Sequence, residues 1–99
     1  DGGMQIRLRV EARLDIYEAS RFYDRQSDGL GDRFIKSIFE DLDRLERLAG
    51  VHSKRGRYYR LLSQRFPYMV CYDIQGEEII VITVLSCRMR PDSIDVLLE

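Results

Sequence analysis

The stretch from Met4 to Tyr23 reads MQIRLRVEARLDIYEASRFY, and its hydrophobic residues change their spacing partway along. Ile6, Leu8 and Val10 alternate with polar residues, which is the spacing of a half-buried β-strand. The later apolar residues recur every three or four positions, as they do along one side of a helix: Ala12, Ile16, Ala19 and Tyr23. The sequence therefore predicts a strand that leads directly into an amphipathic helix.

A second apolar stripe follows between residues 34 and 49 and repeats the helical spacing. Its members are Phe34, Ile38, Leu42, Leu45 and Ala49. Ser27-Asp28-Gly29 separates the two helices, and the side chain of Asp28 or Asp32 is expected to cap the second one. Gly50 stands where a glycine commonly ends a helix. These features predict a helical hairpin.

The rest of the chain has the patterns of strands. A polar loop is predicted for residues 51–56, a short aromatic strand for residues 58–62, and an alternating strand for residues 66–74. Pro67 fits only at the beginning or on an edge of that strand, because proline donates no hydrogen bond to a sheet. Residues 79–85 resemble a central strand, and Pro91 is suited to start a short final helix. The predicted fold class is α+β, order β-α-α-β-β-β-(α), with the hairpin packed on a mainly antiparallel sheet.

The composition is that of one folded domain. The chain has 99 residues, of which 44% are hydrophobic and 33% charged, so it can bury a single core. Asp1-Gly2-Gly3 is predicted to be a cloning remnant, and residues 4–99 are predicted to form the domain. We recognise no signal peptide and no apolar run long enough for a membrane span, so we expect a cytoplasmic protein with no membrane partner.

Cysteine and histidine offer little chemistry. Cys71 and Cys87 stand in or next to apolar runs and are predicted to be free, buried thiols. His52 is the only histidine and stands in a polar loop without a set of metal ligands around it. We therefore predict no metal site and no cofactor.

The net charge of −1 conceals a local asymmetry. Residues 11–50 contain ten acidic and seven basic residues, whereas residues 51–66 contain no acidic residue and five basic ones: Lys54, Arg55, Arg57, Arg60 and Arg65. Arg88 and Arg90 follow near the end. Local charge of one sign attracts partners of the other. The run is either a solvated strand face or a docking surface for phosphates or for an acidic partner segment.

Two motifs give the chain a resemblance to a known family. The first comprises DIYEA at residues 15–19, Phe22-Tyr23 and GLGDRF at residues 29–34, and the second is RFPYMVCY at residues 65–72. With Arg88 and Arg90 before Pro91, these motifs make the chain similar to the RelE/ParE toxin superfamily of plasmid stabilisation proteins. The resemblance extends from Ile6 to Pro91. It implies the fold more strongly than it implies an activity.

The resemblance implies a toxin of a type II toxin–antitoxin system. Such a toxin is neutralised by a cognate antitoxin whose flexible tail wraps around it. One branch of the superfamily cleaves messenger RNA in the ribosome, and the other poisons DNA gyrase. We expect the antitoxin's acidic or amphipathic tail to cover an apolar groove beside the helices.

The residues at the nuclease positions favour the ParE-like branch. RNA cleavage needs an acid, a base and cations that stabilise charge on phosphorus. The resemblance places the nuclease cations and the late tyrosine at five positions: Arg60, Leu62, Met69, Arg88 and Ile94. Only Arg60 and Arg88 carry a suitable side chain, and they are the catalytic candidates if the chain is a nuclease. We expect a binding toxin rather than an enzyme.

The predicted surface for the target or the antitoxin consists of five arginines: Arg57, Arg60, Arg65, Arg88 and Arg90. The planar guanidinium suits carboxylates and phosphates alike, so an acidic protein tail and a nucleic acid both fit. Two alternatives stay open. One is a RelE-like ribosome-dependent nuclease acting on messenger RNA, and the other is a protein of this fold without toxicity.

Overall fold

A computed structural model describes residues 4–99 as a five-stranded sheet with two long helices on one face and a short helix on the other. The predicted cloning remnant at residues 1–3 lies outside the described residues. The elements in chain order are β1 (Gln5–Leu8), α1 (Val10–Gln26), α2 (Leu30–Leu48), β2 (Lys54–Arg55), β3 (Tyr58–Leu62), β4 (Tyr68–Gln75), β5 (Glu78–Ser86) and α3 (Pro91–Leu97). The predicted α+β class and the helical hairpin are confirmed.

The strands lie in the order β1-β5-β4-β3-β2. β1 pairs with β5 in parallel, and the other neighbours are antiparallel. β2 was not predicted, because it lies in the segment interpreted as a loop. It pairs only with Tyr58 and Tyr59 around the turn at Gly56, and two residues are too short to display a hydrophobic period.

The side of the sheet that faces α1 and α2, here called the hairpin face, carries the main core. Phe34, Ile38 and Leu45 of α2 pack there with sheet residues such as Val70 and Tyr72. β5 contributes one extra residue, Ile82, between the partners of Cys71 and Tyr72. The extra residue accompanies a β-bulge, and apolar side chains on both sides of it still reach this core.

The opposite side, here called the α3 face, carries a smaller core. Ile94 and Leu98 at the C-terminal end of the chain pack against Met69, Cys71 and Leu85. The Arg55 side chain ties α3 to the sheet, since its Nε donates a hydrogen bond to Asp95 Oδ1 at 3.0 Å and its Nη2 to the Pro91 carbonyl at 3.3 Å. The thiol of Cys71 is buried as predicted, but the prediction for Cys87 is wrong, because Cys87 is exposed.

The junction of α1 and α2 depends on two glycines. Gly29 has a φ of +84°, and a Cβ at Gly31 would lie 2.3 Å from the Ser20 carbonyl oxygen. The predicted caps Asp28 and Asp32 are wrong, because the N-cap residue of α2 is Gly29. Instead, Asp24 of α1 accepts a hydrogen bond from the Gly31 N–H at 2.8 Å. The motif therefore allows the two helices to approach closely.

Candidate functional site

The predicted arginines are distributed around β3 and the segment that follows β5. Arg57 immediately precedes β3, and its Cζ lies 5.5 Å from the centroid of the Tyr58 ring. Arg65 lies beyond the other end of β3 and lines a small pocket together with Asp41. Arg57 and Arg65 therefore flank opposite ends of one strand.

Arg60 is the central residue of β3 and lies opposite Cys71. The side chain is half-buried, and among residues 4–99 its buried Nε finds no hydrogen-bond partner. Burial raises the pKa of the Cys71 thiol to about 11, although the Arg60 charge opposes this. Cys71 therefore stays protonated at neutral pH and is not a candidate nucleophile.

Arg88 and Arg90 lie in the segment between β5 and α3. Arg88 is exposed, and its charge acts on the phenols of Tyr23 and Tyr68. Burial raises the pKa of both phenols, and the Arg88 charge opposes this effect in each case. Arg90 is exposed at the N-cap of α3. The two arginines therefore lie in different environments: Arg88 is close to aromatic rings, and Arg90 is at the start of a helix.

Two of the three nuclease positions without a matching side chain have clear structural roles. Met69 and Ile94 are 3% and 2% exposed, and both belong to the apolar cluster beneath α3. Leu62 is 55% exposed at the end of β3. The positions for a cation and for the late tyrosine therefore form the apolar contact between α3 and the sheet.

A groove of about 480 Å³ lies between the C-terminal half of α2, the segment after it and β3. We call it the β3-edge groove, and its lining includes Arg44, Leu48, Val51, His52, Arg60 and Leu62. Three of these are apolar side chains with large exposed fractions, 44% for Leu48, 71% for Val51 and 55% for Leu62. A groove beside the helices was predicted from the resemblance, but its residues were not.

One wall of the β3-edge groove is fixed by a buried phenol. The Tyr72 hydroxyl accepts a hydrogen bond from the Gly50 N–H at 3.0 Å and lies 2.6 Å from His52 Nδ1. Burial lowers the pKa of His52, so its imidazole is neutral at neutral pH and Nδ1 can accept the Tyr72 proton. Tyr72 itself is buried and stacks on Tyr59. His52 therefore anchors the loop, a role that its polar sequence context did not indicate.

The charge of Arg44, on the α2 side of the groove, is partly neutralised by Asp41. Its Nη2 donates a hydrogen bond to the Asp41 carboxylate one helical turn earlier. The Asp41 side chain is only 3% exposed. Burial raises the pKa of Asp41, and the nearby Ser63 hydroxyl and Arg44 guanidinium oppose that rise. The spacing of three residues between Asp41 and Arg44 was the available sequence signal for this pair.

A model of the family described as ParE toxin of type II toxin-antitoxin system, parDE, matches residues 6–91. The chain belongs to the ParE toxin family. The resemblance drawn from its two motifs is thereby confirmed. No curated protein sequence matches this ParE-family chain.

Two solved structures share the fold. One is described as the chromosomal ParDE TA system from P. aeruginosa; its TM-score is 0.77 and its identity 18%, and the match covers 87% of this ParE-family chain and 98% of that chain. The other is the toxin-antitoxin complex RelBE2 from Mycobacterium tuberculosis, with a TM-score of 0.52 and 17% identity, covering 85% of this chain and 98% of that one. At these identities the likeness is one of fold. Among the described helices, none is long and apolar enough to cross a membrane.

Proposed function

We propose that this chain is a ParE-like toxin that acts by binding a macromolecular target, with DNA gyrase as the first candidate, and that a cognate antitoxin neutralises it. The observation that carries the choice of branch is that Met69 of β4 and Ile94 of α3 are buried together in an apolar cluster. Neither side chain can stabilise charge on phosphorus or transfer a proton. The family match over residues 6–91 supports the toxin assignment itself.

A RelE-like nuclease is the second candidate, and Arg60 is the observation that favours it. Its side chain is half-buried, its Nε has no hydrogen-bond partner among the described residues, and its permanently charged guanidinium suits a phosphate oxygen. Arg88 is exposed and would be the second cation. In this reading Arg60 and Arg88 are the catalytic candidates, but the acid and the base are unassigned.

Growth and two in vitro assays distinguish the candidates. Expression of the chain without its antitoxin should arrest growth. Purified protein should inhibit DNA supercoiling by gyrase and should leave ribosome-bound messenger RNA intact in a primer-extension assay. Codon-specific cleavage would instead establish the nuclease, and normal growth with both assays negative would favour a protein of this fold without toxicity.

The antitoxin partnership is supported by the family match and by the two similar solved structures, which are described as a ParDE TA system and as the toxin-antitoxin complex RelBE2. It predicts that a gene adjacent to this one encodes a small protein with a DNA-binding N-terminal half. Co-expression of that protein should restore growth, and the two should copurify. An adjacent product that neither binds nor neutralises would contradict the partnership.

The predicted arginine surface can be assigned to target or antitoxin by two substitutions. Both side chains are exposed, so Arg88→Ala and Arg90→Ala should leave the fold intact. If these arginines bind the target, the substitutions abolish toxicity while antitoxin binding survives. If they bind only the antitoxin, toxicity persists and becomes harder to neutralise. If Arg57, Arg60 and Arg65 also prove neutral in both assays, the surface is merely solvated.

A further inference from the structure

Two tyrosine rings and one arginine come together where β4 begins. Tyr68 is the first residue of β4 and pairs with Ser86, the last residue of β5. Beyond that pair, the Arg88 N–H donates a hydrogen bond to Ser86 Oγ at 3.1 Å. Tyr23 of α1 reaches the same place, since its ring centroid lies 6.1 Å from that of Tyr68. Three segments that are distant in the chain therefore meet at this end of the sheet.

The polar groups of these three side chains are not used within the fold. Among the described residues, the tyrosine hydroxyls that form hydrogen bonds are those of Tyr17 and Tyr72. The hydroxyls of Tyr23 and Tyr68 form none there, and the exposed Arg88 side chain forms neither a hydrogen bond nor an ion pair. Burial raises the pKa of both phenols, so each is a protonated donor at neutral pH. Two hydroxyls and one guanidinium are therefore available to a ligand.

Aromatic packing holds the two phenol rings in place. The centroid of the Tyr23 ring lies 4.9 Å from that of Phe66, and the centroid of the Tyr68 ring lies 4.9 Å from that of Phe34. Phe34 is fully buried, so this contact belongs to the core of the hairpin face. The hydroxyls are presented by side chains that are already ordered, which lowers the entropic cost of binding.

Donors of this kind suit an oxyanion, because a guanidinium binds carboxylates and phosphates and neutral phenols donate to the same oxygens. The surroundings favour a single charge over the many phosphates of a nucleic acid. Residues 11–50, which include α1, contain ten acidic and seven basic residues, and Asp15 lies within electrostatic range of the Tyr68 phenol. The Phe22 ring is 45% exposed and packs edge-on against Tyr23. A protein carboxylate with an apolar neighbour is therefore the best match.

We propose that Tyr23, Tyr68 and Arg88 form a site that binds an acidic side chain of the toxin's protein target; this inference rests on the function proposed above. The target carboxylate accepts hydrogen bonds from the two hydroxyls and from the guanidinium. An apolar target residue next to it packs on Phe22. Of the three residues of the site, the predicted arginine surface includes only Arg88, so the two tyrosines are new binding residues.

Acetate is a probe of the site that does not depend on the target. In isotope-labelled toxin, the nuclear magnetic resonance signal of the Arg88 Nε–H should shift saturably as acetate is added. Tyr68→Phe should weaken this binding at least about threefold, as the loss of one hydrogen bond would. Arg21 is the internal control and should show no saturable shift, because its guanidinium already donates to the Tyr17 hydroxyl. Equal shifts at Arg21 and Arg88 would overturn the site, and a DNA duplex that displaced acetate from Arg88 would contradict a protein carboxylate as its ligand.

Removal of single hydroxyls tests the link to the target. Tyr23→Phe and Tyr68→Phe keep the packed rings, and each should raise the toxin concentration that inhibits gyrase supercoiling by about fivefold. Tyr17→Phe is the matched control, since it removes the same oxygen from a side chain that is 54% exposed elsewhere on α1, and it should leave inhibition unchanged. All three variants should bind the adjacent gene's product equally well.

Unchanged inhibition by Tyr23→Phe and Tyr68→Phe, or an equal loss in Tyr17→Phe, would overturn the target contact. A chain that neither inhibits gyrase nor arrests growth would refute the proposed function and the target contact together. The acetate titration decides independently whether the three side chains bind a carboxylate, so a failure of the site is distinguished from a failure of the proposed function.

Discussion

The two faces of the sheet are covered to different extents. On the hairpin face, α1 and α2 bury a continuous cluster that includes Phe34, Ile38 and Tyr72. On the α3 face, a helix of seven residues covers a much smaller cluster, and Arg60 is left half-buried on β3. Apolar burial is the main stabilising contribution to folding. The hairpin face should therefore carry most of the stability.

Under the proposed function, the two faces also differ in role: one carries residues that identify the family, and the other carries the positions that would distinguish a nuclease. Gly31 and Phe34 of the first motif position the hairpin and its core. Met69 and Ile94, at the positions that would distinguish a nuclease, form part of the contact between α3 and the other face of the sheet. Under the proposed function, substitutions on the α3 face would alter activity while the fold is retained, which is how one fold serves different functions.

The largest expected effect is the loss of a core aromatic ring on the hairpin face. Phe34 is fully buried and contacts the rings of Tyr23, Phe66 and Tyr68. Phe34→Ala should lower the free energy of unfolding by about 3–5 kcal/mol, because it leaves a cavity. Urea denaturation measures this loss.

Phe39 provides the matched control on the same helix, since its side chain is 48% exposed. Phe39→Ala should change the free energy of unfolding by less than about 1 kcal/mol. Similar losses for Phe34→Ala and Phe39→Ala would show that the hairpin face is not the stabilising core described above.

The next effect concerns the apolar contact of α3. Ile94 is 2% exposed, but it belongs to the small cluster on the α3 face. Ile94→Ala should cost about 2 kcal/mol, near the lower end for such a truncation, because α3 can detach locally and limit the global loss. Hydrogen exchange should show that the α3 amides open before those of α2. Val96→Ala is the exposed control and should cost little. If Ile94→Ala cost as much as Phe34→Ala, both faces would unfold as one unit.

The elements of the fold were predictable where a periodic pattern was long enough. α1 and α2 each present a helical apolar stripe, and β3 was predicted with the bounds that it has. β2 escaped prediction because only two residues pair. The cap of α2 was wrong because Asp24, in the preceding helix, satisfies the Gly31 N–H through a tertiary contact. A local rule cannot include a partner seven residues away on another helix.

The candidate site was less predictable, because it is assembled from distant segments. Leu48 ends α2, Val51 lies in the next loop and Leu62 ends β3, so only the fold brings these exposed side chains to one groove. The same applies to the anchor of His52, which lies twenty residues from Tyr72 in the chain. Conversely, Arg57 and Arg65 are close in sequence but flank opposite ends of β3.

Acidification should have a smaller effect on stability, through His52 in the loop that Tyr72 holds. Burial lowers the pKa of His52 below its usual 6.5. The unfolded chain therefore binds the proton more readily, so the contribution of neutral His52 is complete above about pH 6.5 and is lost as the pH falls through the folded pKa. The stability difference between the natural chain and a His52→Gln variant should shrink between about pH 7.5 and pH 5. A difference independent of pH would mean that the Tyr72 contact does not depend on the neutral imidazole.

The smallest effect is expected for the ion pair that ties α3 to β2. Arg55 Nε lies 3.0 Å from Asp95 Oδ1, but the Asp95 side chain is 61% exposed, so solvent and salt screen the pair. A double-mutant cycle with Arg55→Met and Asp95→Asn should give a coupling of about 0.5 kcal/mol that decreases at high salt. Arg55→Met alone should cost more than Asp95→Asn, because Arg55 also donates to the Pro91 carbonyl. If the coupling exceeded the loss caused by Ile94→Ala, charge rather than apolar packing would hold α3. The two faces of the sheet would then differ in the kind of interaction that covers them, and not only in its extent.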